Sequence, residues 1–163
     1  LAACPAQRLS ATLDDTLPAL RDAVTILLAA EAAALMRSLV TQTADYARQR
    51  EQFGQAIGKF QAVQHRIVDM HIAARRAGAI ARAALAAAPR AERARLASAA
   101  KVTVNEAGRF VGQNAVQLHG GMGMTEELPV GRYFKRLTII EGQMGRSDTH
   151  LRRYAATMAL GSA

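Results

Sequence analysis

Hydrophobic residues recur every three or four positions along most of the chain, which is the spacing of amphipathic helices. The pattern predicts a first helix over about 14–50, with apolar positions at Leu17, Leu20, Val24, Leu27, Leu28, Ala34, Leu35 and Leu39. Gly54 and Gly58 interrupt the pattern and predict the end of this helix. Residues 1–13 have no pattern of their own and are expected to form an incoming strand or a linker.

Two more long helices are predicted beyond these glycines. One covers about 59–88 and ends at Pro89, because proline cannot continue a helix. Its apolar positions are Phe60, Val63, Ile67, Met70 and Ala74. The other covers about 91–118, with apolar positions at Leu96, Ala100, Val104, Ala107, Val111 and Leu118.

The last part of the chain predicts one more long helix, over about 145–160, with a short helix over 129–138 expected before it. Four long helices with short connections predict an all-α fold, an antiparallel four-helix bundle over 14–163. Composition agrees, because Ala, Leu, Arg and Gln are strong helix formers and the chain has only seven Tyr and Phe and no Trp.

Composition also bounds the class of protein. No continuous apolar run approaches the roughly 20 residues that span a bilayer, so no membrane association is expected. The first residues lack a basic region followed by an apolar core, so no signal peptide is predicted. A single cysteine, Cys4, excludes an internal disulfide and fits a reducing, cytoplasmic location.

A net charge of +8 is compatible with nucleic acid, an acidic partner or a phosphate-rich ligand. Nucleic-acid sites gather their basic residues into a patch or stripe. The arginines here are spread along the chain, so nucleic acid is not the expected partner.

Arg50 lies in the stretch YARQREQFG, where the first helix ends. An arginine in the last turn of a helix complements the helix dipole. It can also clamp a phosphate when its planar guanidinium faces one. Free N–H groups and Gln61 at the start of the next helix would add an anion-facing corner. The spacing leaves both interpretations of Arg50 open.

The stretch QLHGGMGMTEELPVGRYFKR, residues 117–136, places four glycines and a proline between two helices. In one interpretation Gly120 adopts a left-handed cap that ends the helix. In the other, the glycines let the backbone lie against a flat or phosphorylated ligand, with Gln117 and His119 directed at it. The residues alone do not choose between them.

Few other side chains suggest chemistry. His65 and His71 are six residues apart on one helix and do not share a face, and His119 and His150 are isolated, so no metal site is predicted. Glu141 lies in the apolar segment LTIIEGQMG. An apolar setting would raise its pKa and suit a general base, although capping a helix is an equal interpretation.

Together, YARQREQFGQAIGKFQAVQHRIVDM and QNAVQLHGGMGMTEELPVGRYFKR closely resemble the C-terminal helical domain of acyl-CoA dehydrogenases, over about 14–160. The resemblance implies a four-helix bundle, FAD as cofactor and an acyl-CoA thioester as substrate. Electron-transferring flavoprotein is the family's usual electron acceptor. Residues 1–13 would then be the tail of the family's middle β-domain.

The resemblance also implies a role for individual residues. In the family, an arginine with a phenylalanine beside it contacts the FAD of a neighbouring subunit near its pyrophosphate. A glutamine after the next phenylalanine lines the flavin site, and a Q-L-x-G-G element holds the adenylate half. These positions correspond here to Arg50, Phe53, Gln61, Gln117, Gly120 and Gly121. Because such contacts cross between chains, a homodimer or homotetramer is implied.

The residue that would act as the catalytic base depends on how this part of the chain is aligned with the family. In the family, a glutamate in an I-Y-E-G-T-like segment removes the α-proton of the thioester while a hydride leaves the β-carbon for FAD. The segment IIEG would make Glu141 this base. Counting from MTEELPVGRY without a gap places Met144 and Gly145 there instead, and the match of RSDTHLRRYA to the last helix favours this register. The family's alternative base falls near Val24, which is not acidic.

Met144 cannot remove a proton, which suggests a heteromeric assembly. Some members of the family pair a chain that has the base with one that lacks it, often for bulky substrates such as steroid acyl-CoAs. We therefore expect this chain to belong either to a heterotetramer with a second dehydrogenase chain or to a divergent homomeric dehydrogenase. The isolated chain is expected to be inactive, because the family's other two domains are absent. The alternative is a helical assembly module that no longer binds flavin.

Overall fold

The computed structural model describes residues 6–87, 90–124 and 128–159. It contains five helices within these ranges, α1 Ala6–Gln49, α2 Gln61–Ala86, α3 Arg90–His119, α4 Pro129–Gly142 and α5 Ser147–Ala159. Two short antiparallel strands, β1 Glu51–Gln52 and β2 Gln55–Ala56, form a hairpin after α1. Single 3-10 turns lie at Ile57–Lys59 and Gly120–Met124. The predicted all-α bundle is confirmed.

Several boundaries differ from the predictions. Helix α1 begins at Ala6 and not near residue 14, and the hairpin was not predicted. The segment expected to hold a short helix over 129–138 contains α4, which continues to Gly142. Cys4 and Pro89 lie outside the described residues.

Helix α3 is the centre of the bundle, because it packs against all four other helices. Helices α1 and α2 run antiparallel, since Ile67 near the start of α2 lies beside Arg48 and Leu85 near its end lies beside Ala30. Helix α4 turns back along α3. Every helix therefore buries one face against α3 or its immediate neighbours.

The core is built mainly from small side chains. The predicted face of α3 is confirmed, with Ala100, Val104 and Val111 at most 2% exposed. Alanines also fill the inner faces of α1 and α2, and Met36, Leu39 and Met70 are the large buried side chains there. Small residues let helix axes approach closely, so the interior is dense although aromatic residues are few.

The predicted inner face of α1 is partly wrong. Leu17, Leu20 and Leu27 are 55–62% exposed, and the residues that face the core include Ile26 and Ala29. Helix α1 is apolar on more than one side, so leucine spacing identified a face that the bundle leaves uncovered.

Helix α1 also differs from the sequence-based expectation about membranes. Its segment Thr16–Gln49 is long and apolar enough to cross a membrane by length and composition. Within the bundle, the same helix carries two ion pairs to other helices. The Asp22 carboxylate lies 2.5 Å from Arg153 of α5, and Glu31 accepts two hydrogen bonds, of 2.6 and 2.8 Å, from Arg136 of α4. Arg136 lowers the pKa of Glu31 through these bonds.

A buried lysine joins α3 to the end of α4. Lys101 is 0% exposed, and its Nζ donates hydrogen bonds to Asn105 Oδ1 at 2.8 Å and to the carbonyl oxygens of Ile140 and Glu141 at 2.6 and 3.3 Å. The last carbonyls of a helix have no partner within it, and a cation suits the negative end of the helix dipole. Lys101 therefore caps α4 from a neighbouring helix. Burial lowers its pKa to about 8.

Two glycines on α3 face α4 and differ in the space available for a side chain. A Cβ added at Gly112 would lie 2.6 Å from the Phe134 ring, whereas one added at Gly108 would meet Leu137 at an ordinary 3.5 Å. Glycine inside a helix costs up to about 1 kcal/mol relative to alanine. Glycine is needed at position 112 despite this cost, because the Phe134 ring of α4 occupies the space that a Cβ would take.

We predict that Gly112→Ala is less stable than Gly108→Ala by about 1–2 kcal/mol, because both gain helix propensity but only the first overpacks the contact with Phe134. Urea unfolding of both variants and the wild-type chain measures this difference. Equal stability of the two variants would show that the ring moves aside at no cost.

We predict a pH-dependent stability from Lys101. Its folded pKa lies below the ordinary 10.5, so below about pH 8 both states bind the proton and the burial penalty is fully present. Between about pH 8 and 10.5 the unfolded state binds more protons, so the free energy of unfolding rises with pH. The rise is at most about 3 kcal/mol, from about 1.4 kcal/mol per pKa unit.

The measurement is urea unfolding of the wild type and of Lys101→Met from pH 7 to 10. Subtracting the variant removes the contribution of other titrating groups. The stability difference should move in favour of the wild type as the pH rises. Parallel curves would mean that Lys101 titrates normally.

Candidate functional site

The two distinctive sequence stretches meet at one end of the bundle, where α1 and α3 finish and α2 begins. The rings of Tyr46 and His119 stack with centroids 4.3 Å apart and planes 26° from parallel. The Tyr46 hydroxyl donates a 3.4 Å hydrogen bond to the His119 carbonyl oxygen. These contacts fix the C-terminal ends of α1 and α3 against each other. We call this region the FAD end, after the role that the family resemblance predicts for it.

His119 does not face outward as the ligand-directed interpretation expected. It is 4% exposed, and its Nδ1–H donates to the Ala115 carbonyl oxygen at 2.8 Å. Gln117, in contrast, is exposed on the same turn. His119 therefore holds the glycine turn in place, and Gln117 is the side chain available to a ligand.

The glycines of this turn have different functions. Gly120 has φ +61°, which confirms the predicted left-handed cap at the end of α3. A Cβ at Gly123 would lie 2.8 Å from the Val116 carbonyl oxygen, so the chain folds back tightly there. Gly121 lacks positive φ, and an added Cβ would meet nothing within 4 Å. The described residues therefore do not explain why residue 121 is a glycine.

The hairpin after α1 projects an aromatic side chain from the same end. Phe53 and Gly54 both have positive φ, 55° and 77°, as a tight two-residue hairpin turn requires. Positive φ is unfavourable for a bulky residue, and Phe53 is also 91% exposed. Its ring forms a T-shaped contact with Phe60, at 6.1 Å between centroids. A strained, exposed aromatic residue suggests a functional constraint.

Arg50 and Gln61 complete this surface. Both are exposed, and Arg50 forms no ion pair with any carboxylate that the structure describes. No side chain caps the N-terminus of α2 at Phe60, so its first N–H groups are open to a ligand. The structure thus brings all six predicted cofactor residues to the FAD end. The Arg50 guanidinium there pairs with no carboxylate that the structure describes.

The predicted base positions lie elsewhere, where α4 passes to α5. Glu141 occupies the last turn of α4, and its carboxylate forms an ion pair with Arg109 of α3. The apolar setting expected from the sequence is therefore wrong, because α3 supplies a cation. Met144 follows in the turn with φ 57°, 45% exposed, and Gly145 has φ +103°.

Buried polar groups hold this turn. His150 is 2% exposed, and its Nε2–H donates to the Met144 carbonyl oxygen at 2.9 Å. Burial lowers the His150 pKa. Asn105 donates to the Ser147 hydroxyl at 3.3 Å while also accepting from Lys101. The turn that presents Met144 is therefore attached to α3 and α5 by side chains and not only by its own backbone.

Analysis of the sequence missed Lys101, Asn105 and Arg109 and treated His150 as isolated. A lysine four residues before an asparagine, on the apolar face of α3, was the available signal. Its partners are backbone carbonyls of α4, about 40 residues away, which side-chain patterns cannot indicate. No group of His, Cys, Asp and Glu able to hold a metal occurs among the described residues.

Comparison with known proteins agrees with this geometry. The family model for the C-terminal domain of acyl-CoA dehydrogenases matches residues 24–159. Acyl-CoA dehydrogenase IpdE2 of Mycobacterium tuberculosis is 38% identical over 119 residues, which are 73% of this chain and 36% of that protein.

Solved structures of complexes are similar as well. The match to the steroid ACAD Tcur3481-Tcur3483, in a variant form, has a TM-score of 0.80 and 32% identity and covers 90% of this chain and 41% of that one. The ChsE4-ChsE5 complex from Mycobacterium tuberculosis matches with a TM-score of 0.75 and 31% identity over 86% of this chain and 38% of that one. The chain spans less than half the length of each relative. By both sequence and fold, it belongs to the acyl-CoA dehydrogenase family, whose C-terminal domain it contains.

Proposed function

We propose that the chain is the FAD-binding and oligomerisation domain of an FAD-dependent acyl-CoA dehydrogenase. Such an oxidoreductase forms a double bond between the α- and β-carbons of an acyl-CoA thioester, as in β-oxidation. The observation that carries the proposal is the FAD end, where Arg50 pairs with no carboxylate among the described residues and no described atom accounts for glycine at position 121. Both features suit a phosphate-containing ligand that approaches the backbone.

The residues present fit the cofactor. Arg50 would pair with the pyrophosphate, and the open backbone at Gly120 and Gly121, with Gln117, would accept the adenylate half. Gln61 at the uncapped start of α2 would line the flavin. When bound, FAD accepts the hydride that leaves the β-carbon. The contribution of this chain is to bind and orient the cofactor.

We further propose that this FAD belongs to a neighbouring subunit. Phe53 leaves most of its apolar surface in solvent, which is unfavourable unless another chain covers it. A hairpin that projects an aromatic residue beyond the bundle is suited to reach across an interface. A dimer or tetramer follows, and the isolated chain is expected to be inactive.

The base is proposed to come from another chain. The Glu141 carboxylate is paired with Arg109 and would have to leave this ion pair to reach a substrate. Met144 occupies the exposed turn and has no proton-accepting group. A heteromeric dehydrogenase, in which a second chain carries the base, explains both. Two related structures, Tcur3481-Tcur3483 and ChsE4-ChsE5, are named as pairs of chains. Electron-transferring flavoprotein is the proposed acceptor.

We predict that Arg50→Ala lowers FAD retention in the assembled enzyme by at least about tenfold, because a charge-assisted bond to phosphate contributes roughly 1.5–3 kcal/mol. Gel filtration followed by flavin absorbance per protein measures retention. Arg48→Ala is the matched control. Arg48 lies in the last turn of α1, just before Arg50, but it already pairs with Asp45. An equal loss from both variants would point to a general charge effect.

The prediction concerns the full-length protein that contains this domain, prepared without a second kind of subunit. We predict that it binds flavin but that acyl-CoA does not bleach the flavin under anaerobic conditions. Adding the second subunit should allow bleaching. Glu141→Gln should then leave the bleaching rate within about twofold, because the carboxylate is not the base. Met144→Glu should restore bleaching without a partner. If the homomeric wild type bleaches and Glu141→Gln abolishes it, Glu141 is the base and the heteromeric proposal fails.

A further inference from the structure

A stripe along α1 is apolar except for one carboxylate. Leu20, Val24, Leu27 and Glu31 follow one another at helical spacing, and Leu20 and Leu27 are 56% and 62% exposed. Glu31 does not interrupt the stripe as a free charge, because the Arg136 guanidinium of α4 donates two hydrogen bonds to it. We call these four residues of α1, together with Arg136, the α1–α4 face.

The Glu31–Arg136 ion pair is open on one side. Its side chains are 40% and 38% exposed, whereas those of the Asp22–Arg153 pair are 5% and 20% exposed. The hydrogen bonds to Glu31 use Nε and Nη2 of Arg136, and Nη1 has no hydrogen-bond partner among the described residues. A carboxylate also has more acceptor positions than two donors fill. The pair therefore joins α1 to α4 and still presents unused donors and acceptors.

A purely apolar occupant would not suit this face. The exposed leucines favour apolar neighbours, because apolar surface in water is unfavourable. Apolar atoms placed over the ion pair would remove water from both charged groups without replacing its hydrogen bonds, which is costly. The α1–α4 face therefore fits an occupant that is apolar along most of its length and polar where it meets Glu31 and Arg136.

The face leads to the turn that presents Met144. Helices α1 and α4 run antiparallel, since Glu31 contacts Arg136 near the start of α4. At the other end, Asp22 of α1 pairs with Arg153 of α5, one turn beyond the histidine that binds the Met144 carbonyl oxygen. The ion pair thus lies at one end of the α1–α4 face and the Met144 turn at the other.

The distance between these ends follows from the two helices. Nine residues from Asp22 to Glu31 give roughly 13 Å, and six residues from Arg136 to Gly142 give roughly 9 Å, at 1.5 Å per residue. A C–C bond of about 1.5 Å advances an extended chain by roughly 1.3 Å, so this interval corresponds to about seven to ten carbons. Ile139, one turn after Arg136, is 54% exposed within it.

We propose that Glu31 and Arg136 determine the specificity for the acyl group, by binding a hydroxyl near its far end. This inference rests on the proposed function, in which residue 144 stands at the base position beside the α-carbon of the thioester. A hydroxyl can donate to the Glu31 carboxylate and accept from Arg136 Nη1 at the same time. A terminal carboxylate fits less well, because its charge would face that of Glu31.

The test measures binding to the full-length protein that contains this domain, prepared without a second kind of subunit. The ligands are dec-2-enoyl-CoA and ω-hydroxydec-2-enoyl-CoA, which already contain the α,β double bond and so are not oxidised there. Isothermal titration calorimetry gives both values of Kd. We expect the hydroxylated ligand to bind at least about fivefold more tightly, because it gains hydrogen bonds to charged groups.

Glu31→Leu combined with Arg136→Met removes both charges, so neither is left unpaired. This double variant should bind the two ligands within about twofold of each other, without weaker binding of dec-2-enoyl-CoA, because only the polar contact is lost. Arg109→Met is the control, since it breaks the ion pair of α4 with α3 and should keep the preference for the hydroxyl. Urea unfolding checks that the variants fold, and Glu31→Gln, which keeps the side-chain shape, should reduce the same preference.

The outcomes separate this inference from the proposed function. Equal binding of both ligands by the wild type, or a preference that survives in the double variant, would overturn the specificity role and leave the proposed function intact. Equal weakening of both ligands by the double variant would assign the ion pair a purely structural role. Tighter binding of the ω-carboxyl ligand would contradict the choice of a hydroxyl. If neither acyl-CoA binds, the proposed function fails and this inference fails with it.

Discussion

The buried ammonium group of Lys101 determines where α4 ends. It donates to the carbonyl oxygens of Ile140 and Glu141, and it does so from the central helix of the bundle. Without this donor the Ile140 carbonyl oxygen would keep its 3.1 Å hydrogen bond from the Gln143 N–H, whereas the Glu141 carbonyl oxygen would lose its bond to Lys101. A buried carbonyl left unpaired costs about 1–3 kcal/mol. Because the helix stops at this point, the chain turns at Met144 and Gly145, and the position of that turn relative to α3 is fixed.

The same interaction separates the two candidate base residues. Glu141 remains within the helix, with its backbone bound to Lys101 and its side chain to Arg109. Met144 lies beyond the helix, in backbone geometry that His150 supports. Moving Glu141 into the turn would shift the helix by about one turn and break the contacts of Lys101. The polar network therefore holds Glu141 inside the helix and leaves Met144 in the turn.

The sequence predicted the helices well and their contacts poorly. Periodicity is strong in α3, where one apolar face alternates with a polar one, and its buried residues were predicted correctly. In α1 it was only partly right, because Leu39 is buried as predicted whereas Leu17, Leu20 and Leu27 lie on the outer side. The family resemblance indicated six cofactor positions, but it could not indicate that His119 is buried beneath Tyr46 or that Arg50 pairs with no carboxylate among the described residues. Those facts depend on contacts between residues that are far apart in the sequence.

The length of α1 explains why one domain would serve two active sites. Asp22 holds α5 within the first half of α1, and Tyr46 holds the FAD end in its last turn. Twenty-four residues at 1.5 Å per residue separate these points by roughly 36 Å. The turn that presents Met144 and the surface that presents Arg50 would thus contribute to different FAD molecules. In the proposed heteromeric assembly, Met144 could therefore stand at a site without a base while Arg50, Gly120 and Gly121 hold the cofactor of the partner.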